Sequence, residues 1–422
     1  MHPSESGKTT RYTFALYVIL ACFTLVFPSI AVTVPEAATA SYAFLLLIAI
    51  PFGWQGWREL TKEEILVLLG FAGLFLVTAL SLVNTENLET GVGRLGKYAR
   101  FLAFIPIYMM YRKYCKSQDH ALKYGVMAAG VILFLVAAYQ SYSQGMSRVS
   151  GVVDIIQFGS YASVIASILV VLVFANIKNS VVSVVAVLCA VCAFCASMLA
   201  GSRGAWLALL INLLLVLLVM FSGSWRHRVV KIIVMLVIIT APLIIFNNPV
   251  QKRLNLLHQN IINYEKGKPD NSYGLRLIMW KNSWLMFKES PLLGTGIGDF
   301  QTDSKQLVDA GKTESHHVIL YTQHAHSIYF HTLAISGALG LLTLLLACII
   351  FPLVLFSKAF ASAENQTDKF MALSGAAVVV AFAVFGVTES WLAKHSFISI
   401  YLIFIMFFMA FSSGRKGVIS HV

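Results

Sequence analysis

The sequence predicts an all-α integral membrane protein with about twelve transmembrane helices. Of its 422 residues, 58% are hydrophobic and only 12% are charged, whereas a soluble protein carries about 25% charged residues. Apolar runs of about 20 residues recur from end to end, and each is long enough to cross a hydrocarbon core ~30 Å thick. Only helices and closed barrels can span lipid. Long unbroken runs favour helices over barrel strands, which alternate over about ten residues.

The predicted spans follow one another along a single membrane domain of residues 1–422. They cover residues 13–33, 39–53, 64–83, 99–111, 122–139, 157–175, 180–200, 204–222, 229–246, 327–356, 370–388 and 396–412. The second and fourth are the shortest. We expect the first to stay in the protein rather than to be cleaved as a signal peptide. It is long for the apolar part of a signal peptide, and no small-residue cleavage site directly follows it.

The distribution of lysine and arginine predicts which ends of the spans face the cytoplasm. Sixteen of the 31 basic residues lie in the termini and connections of one side, six in short connections of the other, and nine between residues 247 and 326. Short loops rich in Lys and Arg stay in the cytoplasm, whereas long loops do not follow this rule. We therefore expect both termini in the cytoplasm and the long loop outside. This topology accounts for the net charge of +12 without a nucleic-acid partner.

Residues 247–326, between the ninth and tenth spans, form the one long polar segment. Within it, residues 275–287 (LRLIMWKNSWLMF) place apolar residues at helical spacing with basic residues between them. This pattern predicts an amphipathic helix on the outer membrane surface, with Trp280 and Trp284 at the level of the lipid headgroups. Pro291 is expected to end the helix, and the glycine-rich residues 294–299 to form a flexible turn.

Two arginines on the outer side are candidates for binding an anionic ligand. Arg203 opens the eighth span beside Gly201, Ser202 and Gly204, and these small neighbours leave room for phosphate oxygens to reach its planar guanidinium. Arg276 opens the predicted loop helix. The alternative for each is an anchor to lipid headgroups. If the loop helix folds over the membrane edge, the two arginines could hold the two phosphates of a diphosphate.

Three further basic residues, Arg94, Lys97 and Arg100, recur at intervals of three residues. They therefore share one face of the helix that enters the fourth span. Their place on a short outer connection runs against the positive-inside trend. The simple interpretation is a solvated face. The functional one is a basic funnel that attracts an anionic, lipid-linked substrate.

Histidines cluster where the long loop re-enters the membrane, and they are His316, His317, His324, His326 and His331. Such a cluster could hold zinc, but no acidic or thiol partner has suitable spacing, so no metal site is predicted. A packed interfacial histidine is the other alternative. Because an imidazole changes its charge near neutral pH, His326 is a candidate general base at the outer face. Gly337 and Gly340 would let the following helix approach a neighbour closely and fix this imidazole.

These residues resemble the O-antigen ligase family and its wider relatives, the O-antigen polymerases and the protein O-oligosaccharyltransferases. The family signature is His, then Asn, Ser or Gln, nine residues and Gly-x-x-Gly, and it is met by His326, Ser327, Gly337 and Gly340. An Arg-x-x-x-Leu signature and a loop arginine are met by the residues listed here: Arg203, Leu207 and Arg276. The resemblance covers the whole chain in architecture, including the large loop between the ninth and tenth spans.

The resemblance implies a metal-independent, inverting glycosyltransferase in the bacterial inner membrane, with a fold akin to the C-type glycosyltransferases and no cofactor. It would move a glycan from undecaprenyl diphosphate to a sugar of the lipid A–core, with membrane lipids around it and its site at the periplasmic face. His326 would be the base, and His324 would position the acceptor or support His326. Arg203 and Arg276 would stabilise the departing diphosphate.

Three rival functions stay open on the sequence. A polymerase of the same family would use a second lipid-linked glycan as acceptor. A protein-glycosylating relative usually carries an extra outer domain, which is not expected here because the sequence ends at Val422. A transporter would carry charges along a membrane pathway. The predicted spans are almost free of acidic residues, which favours an interfacial enzyme and leaves Glu389 without a role.

Overall fold

The computed structural model describes residues 5–53, 59–115, 118–175, 180–220, 225–245, 247–266, 271–314 and 317–413. The α-helices in these ranges are α1 (Glu5–Ile30), α2 (Ala37–Phe52), α3 (Lys62–Leu80), α4 (Leu88–Tyr114), α5 (Asp119–Ala138), α6 (Ile155–Ala175), α7 (Ser180–Ala200), α8 (Arg203–Met220), α9 (Trp225–Ile245), α10 (Asn247–Glu265), α11 (Gly274–Glu289), α12 (Phe300–Asp309), α13 (His317–Tyr321), α14 (Ile328–Leu345), α15 (Phe351–Ala361), α16 (Gln366–Thr388) and α17 (His395–Ser413). No strand occurs in the described ranges.

Eight of the described helical segments are long and apolar enough to cross a membrane. They are Thr13–Ile30, Lys62–Asn84, Asp119–Ser143, Ile155–Ala175, Val181–Ala200, Ile328–Ala361, Gln366–Thr388 and His395–Ser412. Three shorter apolar helices, Ala37–Phe52, Arg203–Val219 and Met235–Ile244, coincide with further predicted spans. The protein is thus an all-α, multi-pass membrane protein, as its composition predicts. The count of twelve spans stays a prediction.

The predicted fourth span, 99–111, is only the second half of a longer helix. Helix α4 runs over 27 residues and begins at Leu88, where the Asn87 side chain accepts a hydrogen bond from the Thr90 amide. Its first turns carry the basic residues that the sequence places on an outer connection. The boundary was missed because apolar run length marks only the part of a helix that lies in lipid.

Helix α6 is the centre of the bundle, with every residue from Gln157 to Ala175 buried. Close packing around it relies on small and polar side chains. Ser163 hydrogen-bonds to Ser197 of α7 at 2.9 Å, and Asn212 of α8 donates to Ser167 at 3.1 Å. Hydrogen bonds of this kind between helices stabilise bundles in lipid, where apolar contact alone gives little preference for protein over lipid tails. The C-terminal end of α7 and the middle of α8 are thereby fixed against α6.

The segment 290–299, here called the glycine loop, fastens α11 to α14. Helix α14 breaks at Gly337, whose φ of 64° and ψ of −162° are accessible only to glycine. The freed amides of Ala338 and Leu339 donate to the carbonyls of Pro291 (2.8 Å) and Leu292 (3.2 Å). A Cβ at Gly337 would lie 2.4 Å from the Leu292 backbone. The close approach expected for Gly337 therefore occurs, but its partner is the loop backbone.

The turn predicted at residues 294–299 is present, and neighbouring segments bond to its backbone and to Asp299. Gly294 is buried, and its carbonyl accepts a hydrogen bond from Asn84 at 2.8 Å. The carboxylate of Asp299 accepts hydrogen bonds from the amides of Glu86 (2.7 Å) and Asn87 (3.0 Å). The glycines permit tight backbone contact on both sides of the loop, and these contacts hold it in place. Gly340, in contrast, contacts Ser336 and Thr332 of its own helix.

We expect Gly337→Ala to disrupt the attachment of the glycine loop to α14. A methyl group there meets the Leu292 backbone and forces an L-residue into a glycine-only conformation, which costs on the order of 1–3 kcal/mol. Thermal unfolding of the detergent-purified protein should shift to lower temperature. The matched control is Gly93→Ala, because a Cβ at Gly93 meets nothing within 4 Å. If the unfolding temperature of Gly337→Ala falls no further than that of Gly93→Ala, the glycine loop does not stabilise the protein through its attachment to α14.

Candidate functional site

His326 lies in the short segment between α13 and α14, one residue before Ser327, the N-cap of α14. Its φ of +48° is in the left-handed region, one of two such non-glycine residues among those described. Non-glycine residues rarely adopt this conformation, and they concentrate at functional sites. The side chain is 32% exposed, and its Nδ1 lies 3.6 Å from Oε2 of Glu389. The ring is therefore open to solvent on one edge and faces a carboxylate on the other.

Glu389, which the sequence left without a role, is the residue that His326 faces. It directly follows α16 and is 1% exposed, and its Oε1 lies 3.0 Å from Nζ of Lys394. Lys394 in turn pairs with Asp154 at 2.9 Å. Burial alone would raise the pKa of Glu389, but His326 and Lys394 outweigh burial and lower that pKa to about 2. The carboxylate is therefore ionised at physiological pH.

His324 stands against His326, with ring centroids 4.5 Å apart in an edge-on arrangement. Burial and, to a smaller extent, the neighbouring His326 together lower the pKa of His324 to about 4, although Glu389 opposes them. His324 is therefore neutral near pH 7 and a weak base. His331 lies deeper, edge-on to the Phe300 ring at 5.0 Å. His316 falls outside the described residues, and within them no group of three or more His, Cys, Asp or Glu is placed to hold a metal ion.

Arg203 and Arg276 line one cavity of about 350 Å³, here called the arginine cavity. Arg203 is the first residue of α8, and Arg276 is the third residue of α11. Burial lowers the pKa of Arg276, Glu389 opposes that lowering, and Arg203 adds to it. The Nε of Arg276 is buried without a hydrogen-bond partner among the described residues. Two like charges and an unused donor facing one cavity suit an anion with several oxygens.

A third arginine, Arg148, also lines the arginine cavity, although from the sequence it counts only among the basic residues of the outer connections. Its guanidinium donates to the carbonyls of Ala200 and Gly201, each at 3.1 Å. Gly201 has a φ of +65° and forms the tight turn between α7 and α8. Arg148 thus fixes the turn that presents Arg203. Nothing in the local sequence signals this contact, because the two segments are about fifty residues apart.

Helix α11 is docked on the segment that carries His326. Trp280 donates from Nε1 to the carbonyl of Ala325 at 3.1 Å, and its ring stacks on Phe330 at 5.0 Å. Trp280 packs against protein, whereas Trp284 is 48% exposed. Their position at the level of the headgroups stays a prediction. The buried face of α11 also contains polar residues such as Asn282. Protein contacts therefore orient this helix.

A second, separate cavity of about 160 Å³ lies beside His324, and we call it the basic cavity. Its lining residues are Arg94, Lys97, Tyr98, Ile297, Gln323, His324, His331, Ile335, Leu392 and Ala393. Of the three basic residues grouped by the sequence, Arg100 does not line it. The Arg100 guanidinium instead contacts Nδ1 of His395 at 2.6 Å and the Ser399 hydroxyl at 3.3 Å. Helical twist turns Arg100 away from the cavity that Arg94 and Lys97 share.

Both cavities are lined by residues that contact or flank the segment of His326 and Glu389. Trp280 lines the arginine cavity and holds Ala325, and His324 lines the basic cavity. Thr388 lines the first cavity and Leu392 the second, and Glu389 lies between them in sequence. An imidazole paired with a buried carboxylate is thus placed among cationic surfaces. Such an arrangement can take a proton from one reactant while stabilising negative charge on another.

The sequence held one signal for Glu389 that composition alone did not resolve. An acidic residue at the end of an apolar span is a functional candidate, because burying a carboxylate without a partner is costly. Its partners, His326 and Lys394, lie on other elements, so only the fold identifies them.

Comparison with known proteins identifies one family and one relative. A family model described as O-antigen ligase matches residues 188–345. This region contains Arg203, Arg276 and His326 and ends before Glu389. A protein of Haemophilus influenzae described as uncharacterized is 24% identical over 346 residues, which are 80% of this chain and 83% of that protein.

We expect the Glu389 carboxylate to contribute stability that depends on pH. A carboxyl whose pKa is lower in the folded than in the unfolded protein stabilises the fold above its unfolded value of ~4.3. That contribution is lost as the pH falls toward the folded value of about 2. Between pH 7 and pH 3, thermal unfolding of the wild type should therefore shift further down than that of Glu389→Gln. The control is Glu289→Gln, whose carboxylate is exposed and pairs with Lys312. Equal shifts in the wild type and Glu389→Gln would contradict a lowered pKa of Glu389 in the folded protein.

Proposed function

We propose that this protein joins a glycan carried on undecaprenyl diphosphate to a sugar hydroxyl of the lipid A–core. The match of residues 188–345 to the O-antigen ligase family model supports this proposal. The reaction is an inverting glycosyl transfer that uses no metal ion and takes place at the periplasmic face of the bacterial inner membrane. The observation that carries this proposal is the position of His326, paired with the buried Glu389 and adjacent to a cavity lined by Arg203 and Arg276.

His326 serves as the general base. Its Nδ1 is directed at Glu389, which leaves Nε2 for the acceptor hydroxyl. As that hydroxyl loses its proton to Nε2, its oxygen attacks the anomeric carbon from the face opposite the diphosphate. The bond from the anomeric carbon to the diphosphate oxygen breaks, and its electron pair leaves with the diphosphate. The resulting imidazolium faces the ionised Glu389, which stabilises it as the buried aspartate does in a Ser-His-Asp triad.

The arginine cavity receives the leaving group. Negative charge grows on the bridging oxygen as the glycosidic bond breaks, and preorganised donors stabilise that charge most strongly in a site shielded from water. Arg203 and Arg276 present planar guanidinium groups to the diphosphate, and Arg148 holds the turn before Arg203. These fixed charges take the part that a divalent cation takes in many glycosyl transfers. Glu389 lies close enough to act on Arg276 and so orients both the base and the leaving-group site.

His324 acts as a neutral partner of His326. With a pKa of about 4 it is too weak a base to accept the acceptor's proton near pH 7. Its ring instead lies beside the base and lines the basic cavity, where a neutral imidazole can hydrogen-bond an acceptor hydroxyl. This arrangement assigns proton transfer to His326 and acceptor positioning to His324.

The orientation of the site follows from the charged residues at the two ends of the bundle. The site residues lie where α7 ends, where α8, α14 and α17 begin and where α16 ends. The opposite end carries the Arg112–Glu64 pair at 2.7 Å and the Lys358–Glu63 pair. Lys358 and Arg112 belong to the side that is richer in short basic connections, which is the cytoplasmic side. The site then faces the periplasm, and both termini lie in the cytoplasm.

The direct test is a reconstituted transfer. Detergent-purified protein is given the undecaprenyl-diphosphate-linked glycan with detergent-dispersed lipid A–core, in buffer containing EDTA, and joined product is measured. We expect product only when both substrates are present. Elongated lipid-linked glycan in a reaction without lipid A–core would indicate a polymerase. Loss of product in EDTA with recovery in magnesium would overturn the metal-independent mechanism, and no product in any condition would favour a transporter.

His326→Ala should reduce transfer by roughly 10²–10⁴-fold, the usual contribution of a general base. The protein should still insert and purify, with a lower unfolding temperature because the buried Glu389 loses one of its two partners. His258→Ala, which removes an exposed imidazole on α10, should transfer at the wild-type rate. Near-normal transfer by His326→Ala would exclude this residue as the base.

Arg203→Ala and Arg276→Ala should each lower transfer by roughly 10²–10³-fold, as expected for removing a group that stabilises transition-state charge. If both bind one diphosphate, the double variant should lose much less than the product of the single losses. Arg203→Lys should restore only part of the rate, since an ammonium keeps the charge but lacks the planar donor pair. Lys281→Ala, on the exposed face of α11, is the control. Independent, multiplicative losses would place the two arginines on different substrates.

A further inference from the structure

The basic cavity is chemically distinct from the arginine cavity. The two share no lining residue, and the basic cavity has about half the volume. Arg94 and Lys97 supply two cations, and His324, His331 and Gln323 supply further polar atoms. None of the described residues that line it is acidic. A cavity of this composition attracts a single anionic group.

Within the part of the chain that the structure describes, neither cation of the basic cavity has a carboxylate partner within ion-pair distance. The Lys97 Nζ donates to the carbonyl of Ala393 at 2.7 Å, and the Arg94 guanidinium donates to the carbonyl of Ile297 at 3.3 Å. The Asp299 carboxylate attracts Arg94 electrostatically, but its oxygens already accept hydrogen bonds from two backbone amides. Both side chains are only partly buried, so water still reaches them, but their reduced hydration favours an anionic ligand that enters the cavity.

His331 gives a second, independent indication of a ligand. It is 6% exposed and lines the basic cavity, yet its Nδ1 is buried with no hydrogen-bond partner among the described residues. Buried polar atoms nearly always have a partner. An oxygen of a ligand seated between Lys97 and His324 would supply one. A charged oxygen group and a hydroxyl of the same sugar could meet Lys97 and His331 together.

We infer that the basic cavity is an acceptor subsite that binds an anionic substituent, a phosphate or a carboxylate, on the sugar that receives the glycan. This inference rests on the proposed function and adds to it a class of acceptor. The diphosphate of the donor has its own cavity, so this second cationic site is free for the other substrate. His324 connects the subsite to the base, since its ring is 4.5 Å from that of His326. An acceptor anchored here by its charge presents a neighbouring hydroxyl to His326.

The subsite would make the enzyme selective for charged acceptors. A neutral sugar would leave Arg94 and Lys97 without a counter-ion, and a site built for a polar group disfavours ligands that lack it. Attraction of a charged acceptor would weaken as salt screens the cations. The subsite therefore separates transfer onto an anionic core saccharide from transfer onto a neutral glycan.

The test measures binding and kinetics with the same acceptor in two forms. The saccharide released from lipid A–core is used as isolated and after its phosphates are removed by phosphatase. Binding of both forms to the full-length purified protein is measured without donor, and acceptor and donor KM are measured with donor present. The variants are Lys97→Gln, Arg94→Gln and Lys97→Arg. The control is Lys305→Gln, an exposed lysine on α12 outside both cavities.

We expect Lys97→Gln and Arg94→Gln each to weaken binding of the phosphorylated saccharide about tenfold, which corresponds to ~1.4 kcal/mol. The acceptor KM should rise in parallel while the donor KM stays unchanged. Lys97→Arg should keep most of the affinity, and Lys305→Gln all of it. A tenfold loss with both saccharide forms would identify a carboxylate as the bound group, and a loss with the phosphorylated form alone would identify a phosphate.

Two results would overturn the inference. One is unchanged binding of both saccharide forms in folded Lys97→Gln and Arg94→Gln protein. The other is a rise in donor KM in place of acceptor KM, which would assign the cavity to the donor. The binding measurements require no transfer. The two hypotheses can therefore fail separately. If the subsite is absent, the variants bind the saccharide as the wild type does; if the proposed function is wrong, the saccharide binds but no joined product forms.

Discussion

The buried carboxylate of Glu389 is the interaction on which the site depends. A carboxylate at 1% exposure is stable only when cations and hydrogen-bond donors compensate the loss of water. Here the compensation comes from Lys394 and His326, and Lys394 is shared with Asp154. These four residues stand at the end of α16 and at the starts of α17, α14 and α6. The electrostatic requirement of one residue thus fixes four helix ends at one face of the bundle, and His326 is one of its two partners.

The glycine loop helps to hold Arg276, on the long segment between α9 and α14, at a defined position. Loops are usually mobile and solvated. In this protein, the amides released by the break at Gly337 bind the carbonyls of Pro291 and Leu292, while Asp299 binds the connection between α3 and α4. Trp280 adds a contact to Ala325. Helix α11, with Arg276, is therefore attached to the same helix whose N-terminal end carries His326.

At the end of the bundle that carries the site, the acidic and the basic residues have different surroundings. The acidic residues pair with cations or with backbone amides, as Asp154, Asp299 and Glu389 do, whereas several arginines and lysines line cavities. Cavities with an excess of positive charge attract anionic reactants. This holds for both the arginine cavity and the basic cavity. In the proposed glycosyl transfer, these cations would stabilise the phosphorylated reactants. The buried Glu389 carboxylate balances the surrounding cations beside His326, the proposed base.

The sequence by itself determined the all-α membrane architecture, most of the spans and the positions of His326, Arg203 and Arg276, because apolar run length and motif spacing are local properties of the chain. It also placed Arg94 and Lys97 on one helix face. Only the tertiary structure decided that Glu389 faces His326, that Arg148 holds the turn before Arg203, that Arg100 lies outside the basic cavity and that Trp280 packs on protein. These contacts join residues on different helices. They depend on how the helices pack and on which buried charges find partners, and no spacing along the chain encodes either.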